Sequence, residues 1–325
     1  IRDYYASRGL EDVYKRQILC LRKGQVATLW LAFFIFLLRN TDLKMSNVIQ
    51  HLYKFSSVHG GLLYAWFPSM HTRVDIVLCS KQGEEALMFV VGAVHEMLCR
   101  LEKMANYYDV ESELAYLNRA AATEPQPVSK ELYDMLAFCV ECYTRTDGCF
   151  DVTIHSANYT RNSIYSIQLS PQEHTLFFLQ PGVTINLSGF LKGYALEKIR
   201  ELLQQYEIEN ALVNMGNSSV LALGHHPLAD GWKVNFGQSA VTQAKEWPEI
   251  FLKNECLTTS GNDSHERKHI IDPQSGKLVE GKREVAVVTA NGAVGEVLST
   301  SLFVADARQR ELLKVEFCPR LILDL

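Results

Sequence analysis

The chain has 325 residues, 47% of them hydrophobic and 21% charged, with a formal net charge of -5. That supply of apolar side chains is enough to bury a substantial core and excludes a disordered chain. The negative balance gives no electrostatic footprint for nucleic acid, so DNA and RNA are set aside as main partners.

The first stretch, residues 1–17, ends in Asp12-Val-Tyr-Lys-Arg-Gln17 and reads as translated sequencing-adaptor sequence. Residues 18–61 form an N-terminal segment in which Met45 is the expected natural start. The apolar run from Val26 to Leu38 is shorter than the roughly 20 residues of a spanning helix. Cys20 precedes this run instead of ending it, so no convincing lipoprotein signal is read; the compartment is left open, and is expected to be the cytoplasm if Met45 is the start.

The remainder, 62–325, reads as one domain. Arg73 to Cys79 is expected as a strand, and Glu84 to Tyr107 as a long helix with Leu87, Val91, Val94, Leu98, Leu101 and Ala105 on one face. Glu113 to Asn118 is a short helical turn, and a second helix starts after Ser129 as N-cap and stops near Gly148. Eight cysteines are scattered along the chain. Only Cys139 and Cys142 are spaced CxxC; they fall inside this helix without a second pair, and read as reduced core or surface thiols.

Val183 to Leu187 is expected as a strand that passes through Ser188-Gly189 into a helix from Lys192 to Tyr206. Ala211 to Asn214 and Ser219 to Leu223 read as strands around a Met215–Ser218 turn. Trp232–Phe236, Lys268–Ile271 and Glu284–Thr289 are further expected strands, and Val294–Asp306 a helix. The irregular interleaving points to an α+β fold over a doubly wound parallel sheet.

Three segments could carry chemistry. In Asn186-Leu-Ser-Gly-Phe-Leu-Lys-Gly-Tyr-Ala195 a glycine turn opens a helix, exposing backbone N–H groups to an anion with Lys192 in the first turn. The same segment also reads as a tight turn with a surface lysine. Glu296 and Thr300 share one helix face and offer hard oxygens suited to Mg2+, although such a pair is common on exposed helices. His269 could take a proton from a hydroxyl nucleophile, with Asp272 orienting it or binding metal; the alternative is a histidine at a strand end above a turn. His71, His225 and His226 read as loop residues without a role.

The order of motifs adds to this. Glu113-Leu-Ala…Asn118, Gly148-Cys-Phe-Asp-Val-Thr153, Asn186 to Ala195, Ala211-Leu-Val-Asn-Met-Gly216, Thr259-Ser-Gly261, His269-Ile-Ile-Asp-Pro…Gly276 and Glu296-Val-Leu-Ser-Thr300 resemble, in sequence, the FAD:protein FMN transferase family. That family is also called the ApbE or thiamine-biosynthesis lipoprotein family. The resemblance covers about residue 62 to the C-terminus.

It implies an α+β architecture related to the tunnelling fold, two-lobed, with mixed or antiparallel sheets flanked by helices and FAD in the cleft. It also implies Mg2+-dependent transfer of FMN from FAD to a Thr or Ser hydroxyl of an acceptor flavoprotein, with release of AMP. Such acceptors include subunits of membrane redox complexes, and family members are often membrane-anchored and exported. Carried over by position, the metal is held by Glu296, Thr300 and the carbonyl of Leu191, while Lys192 serves the phosphates and His269 is the base, supported by Asp272. Tyr116, Asp151, Thr153, Ser188, Gly189, Asn214, Gly216, Thr259, Ser260 and Gly261 fall on the FAD cleft.

The chain departs from the family at several places. It has Glu296 for Asp, Ser188 for Gly, Leu191 for Ala, His71 in a Met-Gly-Thr motif, and Asn217-Ser218 where Gly-Asp is usual. An FAD pyrophosphatase and a degenerate FAD-binding protein are therefore the alternative functions.

Overall fold

The structure, a computed structural model, describes residues 49–234, 249–262, 270–281 and 283–324. In chain order its first half comprises β1 (Gln50–Ser56), β2 (Gly60–Ser69), β3 (Thr72–Ser80), α1 (Glu84–Ala105), α2 (Glu113–Ala120), β4 (Gln126–Pro127), α3 (Lys130–Arg145), β5 (Ile167–Ser170) and β6 (Thr175–Phe178). The second half comprises α4 (Leu191–Gln205), β7 (Asn210–Met215), β8 (Ser219–Leu223), β9 (Trp232–Val234), β10 (Ile250–Leu252), β11 (Glu255–Asn262), β12 (Ile271–Asp272), β13 (Lys277–Leu278) and β14 (Arg283–Thr289). Then come α5 (Gly292–Val304), α6 (Ala307–Phe317) and β15 (Leu321–Asp324).

Eight strands form one antiparallel sheet in the order β1-β2-β3-β7-β8-β11-β14-β15. This is the expected α+β class. Period-two alternation gives the sheet two faces. Val74, Ile76 and Leu78 of β3 pack with Leu87, Val94 and Leu98 of α1 and Leu196 and Ile199 of α4. Val77 and Cys79 point the other way, into a cluster roofed by Trp232, Val234, Ile250 and Leu252 of β9 and β10.

The stripe on α1 accounts for that helix. Glu84 and Glu85 favour its N-terminal dipole end and Lys103 its C-terminal end. Leu87, Val91, Val94 and Leu98 are almost fully buried, and at about 2 kcal/mol apiece their packing outweighs intrinsic propensity.

A second core joins α2, α3 and β6 to the segment before α4, through Leu114, Leu132, Leu136, Phe178, Ile185 and Leu187. Helix α5 lies between the cores, with Val297 in this cluster and Leu298 and Leu302 in another under β14. Its near-total burial explains a helix that is apolar on almost every side.

Several expectations change. Val183–Leu187 is extended but not a strand. Its backbone groups are taken by side chains and a loop: Ile185 N–H donates to Asn118 Oδ1 at 2.8 Å, Asn118 Nδ2 donates to Ile185 O at 2.9 Å, and Asn186 N–H donates to Val152 O at 2.8 Å. A residue pair satisfied this way has no need of a neighbouring strand. Ser129 stands at the N-cap position of α3, but its hydroxyl contacts Met104 Sδ at 3.4 Å and caps nothing. That helix does stop near Gly148: its last residue is Arg145 and its C-cap Thr146, and Gly148, with a φ of +74, donates to Tyr143 O at 2.8 Å. The expected strands Trp232–Phe236 and Lys268–Ile271 lie partly outside the described residues.

Candidate active site

The site forms where the β7–β8 turn and β11 meet the start of α4 and the middle of α5. Ser188 and Gly189 are exposed at the start of α4. Ser188 N–H is held by Asn186 Oδ1 at 2.9 Å, and a Cβ on Gly189 would meet nothing within 4 Å, so this turn borders open space. Leu191 is the first residue of α4, with its side chain in the second core.

One residue further on, Lys192 Nζ donates to Ser218 Oγ on the β7–β8 turn. Ser218 Oγ lies 3.3 Å from Ser219 Oγ, and Ser219 donates to Glu296 on α5. Glu296 is buried, and desolvation raises its carboxyl above the usual range against the opposing Lys192 charge and the Ser219 hydrogen bond. Thr300, one turn along α5, is 3.0 Å from Ser260 Oγ, which also meets Ser299 Oγ at 2.8 Å. Lys192, Ser218, Ser219, Ser260, Glu296 and Thr300 thus belong to one cluster between sheet and helices.

Apart from Lys192 these groups are hard oxygens, and a buried carboxylate that has, among the described residues, one hydroxyl donor and a cation as neighbour is suited to a hard dication. Among the described residues no three His, Cys, Asp or Glu side chains form a metal cage. Glu296, Thr300 and the Leu191 carbonyl would therefore share the ion with oxygens of a bound ligand.

Other expected site residues fall elsewhere. Val213 and Met215 belong to the helix-side core while Leu212 belongs to the opposite one, so alternation puts Asn214 on the far face, opposite Asp75 of β3. Its side chain instead closes the turn: Asn217 N–H donates to Asn214 Oδ1 at 3.1 Å and Asn214 Nδ2 donates to Asn217 Oδ1 at 3.2 Å. Gly216, with a φ of +65, lets that turn approach β3, since a Cβ there would be 2.2 Å from Thr72 Oγ1. Thr259 and Gly261 likewise face away from Ser260, and Thr259 N–H donates to Ser218 O at 2.7 Å.

Asp151 is nearly buried, and both its oxygens are occupied within its own loop. Oδ1 accepts from Thr153 N–H at 2.7 Å and Thr153 Oγ1 at 2.6 Å, and Oδ2 accepts from Tyr159 OH at 2.9 Å. Burial raises its carboxyl despite these donors. Tyr159 OH is also 3.4 Å from Pro273 O, which ties this loop to the Asp272-Pro273 turn.

Asp272 is engaged by that turn, accepting from Gln274 N–H at 2.9 Å and Ser275 Oγ at 2.7 Å. His269, the expected base, lies outside the described residues. Tyr116 is half-exposed on α2 and donates to Gln126 Oε1 at 2.9 Å.

Sequence reasoning missed Ser219, whose strand register gave no hint of its partner. It also missed the aromatic group beside the Ser188 turn. There Tyr107 stacks edge-on against exposed Tyr108 at 5.1 Å and lies 5.9 Å from His155, which in turn is 3.5 Å from Asn186 Nδ2. The adjacent Tyr107-Tyr108 pair after a helix end was the available signal.

The model of the ApbE family matches residues 70–318. The FAD:protein FMN transferase of Klebsiella pneumoniae (strain 342) is 24% identical over 272 residues, spanning 73% of this chain and 83% of that protein. The FAD:protein FMN transferase of Chlamydia muridarum is 27% identical over 253 residues, spanning 67% of this chain and 77% of that protein. Among solved structures, the flavin transferase ApbE from Vibrio cholerae superposes with a TM-score of 0.68 at 20% identity, covering 86% of this chain and 93% of that one. The apbe protein of Thermotoga maritima superposes with a TM-score of 0.67 at 20% identity, covering 85% and 94%. The antiparallel sheet, its flanking helices and the ordered motifs thus have one common explanation: the chain belongs to the ApbE family.

Proposed function

We propose that this protein transfers FMN from FAD to a Thr or Ser hydroxyl of an acceptor protein, with release of AMP and with Mg2+ as cofactor. The observation that carries this reading is the meeting of Lys192 and Glu296 across Ser218 and Ser219, beside the exposed Ser188-Gly189 turn. A cation, a buried acid and an open helix start suit a pyrophosphate better than an uncharged ligand. The names of the curated relatives support the choice of FAD as substrate.

In this reading Lys192 and the Gly189 N–H bind phosphate oxygens, the turn being held by the Ser188 N–H on Asn186 Oδ1, and Tyr116 lines the cleft. Glu296, Thr300 and the Leu191 carbonyl hold the ion, which when bound neutralises charge at the pyrophosphate. The acceptor oxygen forms a bond to the FMN phosphorus, the bond to the AMP oxygen breaks, and the hydroxyl proton passes to His269. Asp272 shapes the turn that follows His269, and Asp151 with Thr153 braces that turn through Tyr159. Asn214, Gly216, Thr259 and Gly261 set the β7–β8 turn and the end of β11 from behind.

The test is incubation with FAD, Mg2+ and a flavin-acceptor domain, followed by a denaturing gel read for fluorescence and for a mass increase of one FMN. A labelled acceptor that disappears with chelator is expected. Failure to label at any metal concentration overturns the reading. AMP and free FMN without an adduct indicate a pyrophosphatase, and tight FAD binding unaffected by chelator indicates a binding protein.

A further inference from the structure

We propose that Ser219 is a positioning residue that holds Glu296 in the geometry needed for the divalent ion. The inference rests on the reading of Glu296 and Thr300 as ligands. Ser219 opens β8, is fully buried, and faces the helices, as does Leu221 two residues on. Its hydroxyl is the donor that the structure gives to the Glu296 carboxylate.

A glutamate reaches one methylene further than an aspartate and has one more rotor to fix. Here the arm is confined on both sides. Its Cγ passes over Gly193 of α4, where a Cβ would be 2.5 Å away, and Ser219 fixes its tip. The neighbouring ligand is treated in the same way, because Thr300 meets Ser260 of β11 at 3.0 Å. Strands β8 and β11 pair directly, with Ser219 opposite Thr258. Two adjacent strands therefore each place a serine hydroxyl against an oxygen of α5, and the two oxygens are one helical turn apart.

A hydroxyl that only filled space could be replaced by a methyl group without consequence for the ion. A hydroxyl that orients a ligand cannot, since outer partners of metal ligands commonly carry 10–100-fold in affinity. Ser219 is paired on both sides, with Met215 of β7 and Thr258 of β11, so its oxygen position is set by strand register.

The experiment titrates Mn2+, read by the electron paramagnetic resonance signal of the free ion, into protein holding FAD, with an FAD-only blank subtracted. Wild type should bind and Glu296→Gln should not. Ser219→Ala should weaken binding roughly tenfold, and Ser219→Thr, which keeps the donor, should restore it. In a Glu296→Asp background, whose shorter arm does not reach Ser219, adding Ser219→Ala should change affinity less than twofold. Thermal melts verify that each variant is folded; if Ser219→Ala does not fold, Ser219→Thr against Ser219→Val makes the same comparison. Equal affinity of Ser219→Ala and wild type overturns the proposal, as does an equal loss in both backgrounds. If wild type and Glu296→Gln bind alike, the metal reading itself fails and the role of Ser219 with it.

Discussion

Gly193 of α4 and Gly292 of α5 touch backbone to backbone: a Cβ on Gly193 would be 2.2 Å from Gly292 O and 2.5 Å from Glu296 Cγ. The contact brings the helix bearing Lys192 against the helix bearing Glu296. Gly193→Ala must push the helices apart or strain them, which costs about 3 kcal/mol. Chemical denaturation should show that loss. Metal affinity should fall along with it, because Glu296 sits under the contact.

Lys192→Met removes the positive group beside the Ser188-Gly189 turn and keeps the stem. Transition-state charge then lacks one donor, and kcat/KM for FMN transfer should fall at least about 100-fold. Steady-state kinetics measure it. Ser218→Ala should cost far less, since the ammonium keeps its charge.

On the far face of the sheet, Asp75 is fully buried and accepts from Arg73 Nε at 3.0 Å. Tyr64 OH also donates to it, and its Oδ2 has no hydrogen-bond partner among the described residues. Burial raises this carboxyl above its ordinary 3.8 in spite of Arg73 and Tyr64. Its folded value exceeds its unfolded one, so its contribution to stability is complete below the unfolded value and lost as pH rises through the folded one. Arg73→Met removes the opposing cation and moves the folded value further up. The variant should be less stable by about 3 kcal/mol near neutral pH. The deficit should shrink on acidification, as measured by urea unfolding across a pH series.

The β2–β3 turn places two side-chain-bearing residues in the left-handed region, Met70 with φ +50 and His71 with φ +56. Met70 is held there by its N–H to Glu102 Oε2 at 2.9 Å and by packing against both cores. His71 is exposed. His71→Gly relieves strain and should stabilise the protein by about 1 kcal/mol, seen as a higher melting temperature.

Much of this fold could be read from periodicity. The stripe Leu87, Val91, Val94 and Leu98 predicts α1 to within two residues of its end, and the Gly-rich start of α4 is visible in Ser188-Gly189. The strands β1, β2 and β15 and the helix α6 were not foreseen. Helix α6 carries only Leu313 and Gln309 as buried residues, too few to mark a face. The grouping of Lys192, Glu296 and Thr300 followed from motif order. The separation of Asn214 and Thr259 from that group did not, because which face a residue takes is decided by strand pairing, and pairing is a property of the whole sheet. Val183–Leu187 misled for a related reason: its partner is the side chain of Asn118, 67 residues away from Ile185 in sequence.

The line Lys192, Ser218, Ser219, Glu296 has one more consequence. Two opposite charges so close would ordinarily close on one another, and an arriving anion would have to part them. The consecutive hydroxyls act as a spacer, one accepting from the ammonium and the other donating to the carboxylate, 3.3 Å apart. The pair is thus kept ajar in the resting protein, with the work of separation already done by the fold.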